Sequence, residues 1–196
     1  MGISNRRERE KKELRKKIFD SASQLIIEHG YEKFSIRKLA NAIEYSPAMI
    51  YNYFKNKDDI IAAITLDNFE RISKELLGLD FENMTPPIAL KTSLLTLAKL
   101  ILSHREQFKA TLLSGVNYAN TKSIDNEAID GLITILDKGV ASSDFCIDHT
   151  KDTAFLLITG IFGVLNIIVL SNLYDDTMIE HRLNAFVDLM INGVTK

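Results

Sequence analysis

Arg37, Lys38, Tyr51, Asn52, Tyr53 and Lys57 are crowded into one short stretch, interleaved with Ser35, Ser46, Pro47, Ala48 and Met49. A guanidinium can fork onto a guanine edge, amides and phenols can bond bases or phosphate, and small apolar groups can touch thymine methyls. A lysine beside a helix N-terminus suits a phosphate oxygen. These groups suit reading a duplex rather than breaking bonds. The plainer alternative makes the tyrosines half-buried core and the lysines solvated surface.

Positioning such groups requires rigid elements, and the spacing supplies them. Ile36, Leu39, Ala40 and Ile43 recur as one face of a helix, and Ser35 stands where a hydroxyl caps it. Ser46 followed by Pro47 predicts a second start, because proline at the first helical position sacrifices no hydrogen bond. Ile50 and Phe54, a turn apart, point into a small core. Asn56 can cap a third helix whose first turn carries Asp58 and Asp59, which suit its positive end. The turn from Glu44 to Ser46 has the length of a helix-turn-helix. The second helix would offer Pro47, Ala48 and Met49 to base edges, while Arg37 on the first is the best guanine reader.

Charge agrees. Residues 1 to 57 hold 13 Lys and Arg against 7 Asp and Glu, a net of +6. Residues 58 to 196 hold 11 against 19, a net of −8, so the near-neutral total conceals a basic end. A positive patch confined to the same segment is the footprint of a phosphate binder. Arg6 to Lys17 is rich in both signs, read as a mobile arm or a solvated face leading into a helix with Leu14, Ile18, Ala22, Leu25 and Ile26.

With these residues in view, the segment resembles the TetR family of bacterial transcriptional regulators. Gly30-Tyr31, Ser35 through Ala40, Ser46, Ile50 through Phe54 and Lys57 through Ile60 follow its pattern of glycine-aromatic, hydroxyl cap, Ile/Leu-Ala pair, serine-led second helix, Tyr-x-Tyr-Phe and lysine with acids. The resemblance implies operator DNA binding as a homodimer, with Arg37, Pro47 to Met49, Tyr51 to Tyr53 and Lys57 at positions that touch DNA. Three positions depart from the pattern. Glu44 stands at a usual glycine, Tyr45 at a small aliphatic and Pro47 at a lysine or glutamine. A glutamate in left-handed backbone is expected to cost about 1 kcal/mol, and its charge to face away from phosphate.

Beyond residue 57 we expect a larger ligand-binding and dimerisation domain over 58–196, in an all-α chain of about nine helices. Thr85-Pro86-Pro87 opens one helix; Ile129 to Val140 and Leu183 to Met190 trace others, and a long one should run from Asp58 to about Leu77. Thr153 to Tyr174 carries no charge and could span a bilayer by length. Asn166, Asn172 and acidic flanks speak against that and favour a helix buried in a large core or between subunits. Gly160 and Gly163 would allow a close crossing there. The resemblance implies that the last two long helices form the dimer interface, which would include Asn166, Ile167, Leu170, Leu183, Phe186, Val187 and Met190. The resemblance also implies a small-molecule site, for which Phe69, Leu97, Ile101, His104, Phe108, Leu112, Tyr118, Phe155, Thr159 and Phe162 are candidates, ordinary core packing being the alternative for each. An apolar or aromatic effector would suit them.

Other classes find little support. The four histidines lack zinc-ligand spacing, no nucleophile elbow or phosphate loop is present, and neither cofactor nor metal is expected. The single cysteine, Cys146, allows no internal disulfide and has no cationic motif beside it for redox sensing. With a mostly charged first 17 residues in place of a leader, the expected setting is the cytoplasm. A helical interaction or membrane-associated module is the alternative to a DNA reader.

Overall fold

The computed structural model describes residues 3–116, 126–171 and 175–195. Among them are nine α-helices and no strand. They are α1 (Ile3–His29), α2 (Ile36–Ile43), α3 (Pro47–Tyr51), α4 (Lys57–Leu77), α5 (Pro86–Ser103), α6 (Arg105–Ser114), α7 (Asn126–Ala141), α8 (Thr150–Leu170) and α9 (Asp176–Val194). The all-α expectation holds. These helices gather into two compact units. The first contains residues 3–67 and 106–116, and the second residues 68–105, 126–171 and 175–195.

In the first unit the apolar stripes predicted by spacing meet in one core. Ile18, Ala22 and Ile26 of α1 are sealed against Leu39, Ala40 and Ile43 of α2, Ile50 of α3, Phe54, and Ile60, Ile61 and Ile64 of α4. Each of the isoleucine, leucine and phenylalanine side chains contributes roughly 1.5–3 kcal/mol by leaving water, which compensates for how short α2 and α3 are. Helices of their length are not stable alone. From α6, Ala110 joins this core, the hydroxyls of Thr65 and Thr111 bond at 2.7 Å, and the Gln107 amide donates to Ser23 Oγ. The stretch read as a possible arm is helical from Ile3. Exposed pairs one turn apart, Arg6–Glu10 and Lys16–Asp20, support it.

In the second unit, α5 buries Ala89, Leu90, Leu94, Ala98 and Ile101, α8 buries Ala154, Leu157, Ile161, Leu165, Ile168 and Val169, and α9 buries Ile179, Leu183, Val187, Ile191 and Val194. Pro86 opens α5 at its first turn. Arg105 closes α8 by donating to the carbonyl of Ile168 at 2.9 Å, a cation at the negative end of a helix. After α7 the chain folds back: the Phe145 ring lies where a Cβ on Gly139 would stand, and the Cys146 N–H reaches the Val194 carbonyl at 2.8 Å.

Candidate nucleic-acid interface

Two capped starts set the reading helices. Ser35 Oγ accepts from the Lys38 N–H at 3.2 Å and Ser46 Oγ from the Met49 N–H at 3.3 Å. Pro47 occupies the first position of α3. Between the helices, Glu44 ends α2 with φ 61° and ψ 41°. The left-handed turn is therefore kept although glycine is absent, and the Tyr45 N–H closes on the Ala40 carbonyl at 3.0 Å. Lys17 adds a cation to this helix end. Its ammonium donates to the Ile43 carbonyl at 3.2 Å and lies 5.2 Å from the centre of the Tyr45 ring. Asn56 Oδ1 accepts from the Asp59 N–H at 2.8 Å, and Asp59 accepts in return from the Lys55 N–H, so the start of α4 is capped from both sides.

The face so built leaves Arg37, Lys38, Pro47, Ala48, Tyr51 and Asn52 exposed, with Met49 and Ser35 partly covered. Tyr53 is half-buried and packs on the core, nearer the plainer reading than Tyr51, which is 53% exposed.

Lys57 is engaged. Its ammonium donates to the Tyr31 carbonyl at 3.0 Å and sits 3.6 Å above the Tyr31 ring, with Phe34 at 5.6 Å. Burial lowers its pKa, against the opposing pull of Asp58 and Glu32. Burial and Asp58 raise that of the Tyr31 phenol. Lys57 thus clasps the turn after α1 to the start of α4, and a phosphate would have to compete with that clasp. Sequence spacing missed this clasp and the Arg15 guanidinium 4.6 Å over the Phe54 ring, because both join residues far apart in the chain.

Of the effector candidates, Phe69 and Phe162 meet within the second unit, ring centres 6.2 Å apart and tilted by 50°. Ile101 is buried and Leu97 half-buried. His104 ends α5, and burial, then the Arg71 charge, lower its pKa against the pull of Glu75. Phe155 and Thr159 do not join this group. They lie on the outer face of α8, where Phe155 is 66% exposed. Phe108 and Leu112 belong to the first unit, and Tyr118 lies outside the described residues. A groove of about 330 Å³ runs between α5 and α9 past Leu95, Lys99, Leu102, Arg105, Ile179 and Leu183, only one of which was among the residues singled out from sequence.

The expected dimer residues divide as well. Leu183 and Val187 are buried in their own chain's core. A Cβ on Gly160 would meet Phe186 and Met190 at 3.3 Å, so that glycine serves the crossing of α8 and α9 within one chain. Gly163 faces open space. It shares the outer face of α8 with Phe155, Leu156, Ile167 and Leu170. Asn166 has a buried Oδ1 without a partner. A helix apolar all round has one apolar face for its own core and another left over, and composition cannot say which is which.

Residues 18–64 match the sequence model described as "Bacterial regulatory proteins, tetR family". The chain is 25% identical to the fatty acid metabolism regulator protein of Bacillus subtilis over 90% of its own length and 93% of that protein. It is 34% identical to the HTH-type transcriptional repressor Rv1474c of Mycobacterium tuberculosis, over 30% of this chain and only 32% of that protein. Among solved structures, a tetR-family regulatory protein from Rhodococcus RHA1 shares the fold with a TM-score of 0.70 and 18% identity, covering 92% of this chain and 96% of that one. RolR in complex with resorcinol also matches with a TM-score of 0.70 and 16% identity, covering 95% of this chain and 90% of that one.

Proposed function

We propose that this chain, which belongs to the TetR family of bacterial transcriptional regulators and carries a helix-turn-helix DNA-binding domain, is a dimeric cytoplasmic repressor that leaves a near-palindromic operator when a small effector binds. The observation that carries the reading is the exposed face of α2 and α3. There Arg37, Lys38, Pro47, Ala48, Tyr51 and Asn52 stand free on two side-chain-capped helices at the basic end of the chain. One short recognition helix reads few base pairs, so a twofold pair reading a palindrome is needed for specificity. The outer face of α8, with Phe155, Leu156, Gly163, Ile167 and Leu170, supports that pairing.

The effector reading rests on the Phe69–Phe162 pair in the second unit and on the resorcinol held by RolR. An apolar or aromatic body would suit such neighbours. α4 begins in the first unit and continues into the second. An effector that prefers one placement of α4 would oppose DNA through a shared equilibrium. The test is retention of genomic fragments by the purified protein. Specific, salt-sensitive retention that Arg37→Ala weakens by about 1–3 kcal/mol is expected. Absence of binding to any duplex, with metabolites stripped or present, overturns the proposal.

A further inference from the structure

Among the described residues, the second unit contains a guanidinium without an ion-pair partner. Arg71 on α4 is half-buried, and its Nε is shielded from water with no hydrogen-bond partner. Its Nη2 donates to Asn68 Oδ1 at 2.5 Å, and Asn68 is itself buried and neutral. Among the described residues no carboxylate lies within ion-pair distance of this guanidinium. Partly burying a cation without an anion is costly, as is shielding an N–H that nothing accepts. Buried donors in native proteins nearly always have partners. His104 is close enough to feel both this charge and the opposite charge of Glu75; Phe69, two residues from Arg71 and so on another side of α4, packs on Phe162 of α8.

We propose that the effector is a small organic carboxylate, its oxyanion held by the Arg71 guanidinium beside Asn68. This rests on the reading above that the second unit takes an effector. It narrows that effector from apolar or aromatic molecules in general to those ending in an acid. The carboxylate supplies the acceptor that Nε lacks and the charge that Arg71 lacks, while a neutral alcohol supplies at most the first. The planar fork also favours a carboxylate over a single-point acceptor.

The test uses the full chain and paired probes: hexanoate with hexanol, decanoate with decanol, benzoate with benzyl alcohol. Binding is read by calorimetry and thermal melting, for the wild type, Arg71→Gln and Arg71→Lys. At least one acid should bind the wild type about tenfold or more tighter than its alcohol. Arg71→Gln should bring the pair close to equality while still melting cooperatively with an unchanged helical spectrum. Arg71→Lys, keeping the charge but not the fork, should retain part of the preference. Equal binding of acid and alcohol, a preference that survives in Arg71→Gln, or no acid binding at all overturns the inference. Operator release is scored separately. Release by an alcohol to the same extent in wild type and Arg71→Gln leaves the effector-responsive regulator standing without the carboxylate.

Discussion

Glu44 and His104 each carry a physical tension that substitution can expose. Glu44 holds left-handed backbone at φ 61° so that α2 can stop and α3 can start. A side chain there is opposed by its own Cβ, and glycine is not. Glu44→Gly is therefore expected to raise stability by about 1 kcal/mol, read as a higher urea midpoint with an unchanged slope. A lower midpoint would mean that the glutamate side chain contributes more than the backbone strain removes. His104 has a pKa below the ordinary histidine value because burial and Arg71 disfavour its charged form. Below that ordinary value the unfolded chain binds the proton more readily than the folded one. Its contribution to stability is thus fully present above about pH 6.5 and is lost as pH falls through the lower folded pKa. Unfolding midpoints from pH 7.5 down to 5 should fall less steeply in His104→Asn than in the wild type; parallel curves would refute this.

The helices show how much a local pattern settles and where it stops. Caps are local, so Ser35, Ser46 and Asn56 all act where the sequence places them. The C-terminal closure is different in kind. Phe145 occupies the space beside Gly139, where an added Cβ would stand 2.0 Å from Cδ2 of the ring. No flexible tip can yield there, so the ring itself must leave. Gly139→Ala should cost about 1–3 kcal/mol by overpacking and loosen the bridge from Phe145 to Thr195. Amide exchange at Cys146 should rise in parallel with the fall in stability. An alanine tolerated without loss of either would show that the ring has room to move.

For the whole molecule, the proposed activity needs two copies and a charged reader. Ile167 is 61% exposed on the outer face of α8 and makes no part of the buried core. If that face joins two subunits, Ile167→Arg should convert dimer to monomer in sedimentation while melting cooperatively. Its operator affinity should drop toward that of one half-site, and a variant that remains dimeric would place the interface elsewhere. The basic end predicts the second property. The logarithm of affinity should fall linearly with the logarithm of salt, by about 0.9 per phosphate neutralised. Lys38→Ala should shorten that slope by about one unit if its exposed ammonium faces the backbone. Lys57 has no such freedom while it clasps Tyr31, so Lys57→Met should affect stability before it affects the slope.

The sequence by itself determined the apolar stripes of α1 and α2, the caps of α2, α3 and α4, and the outward side chains of α2 and α3. All of these depend on spacing within a few residues, and a three-helix reader has little room to bury any other face. It also made visible that one helix near the C-terminal end is apolar on every side. Only the tertiary structure decided which of those sides is internal. It placed Leu183, Val187 and Gly160 in the chain's own packing and left Phe155, Ile167 and Leu170 outside. It alone brought Lys57 onto Tyr31 and Phe69 onto Phe162, and left Arg71 without an ion-pair partner among the described residues. Such pairings join residues distant in the chain, and hydrophobic periodicity has no means of recording them.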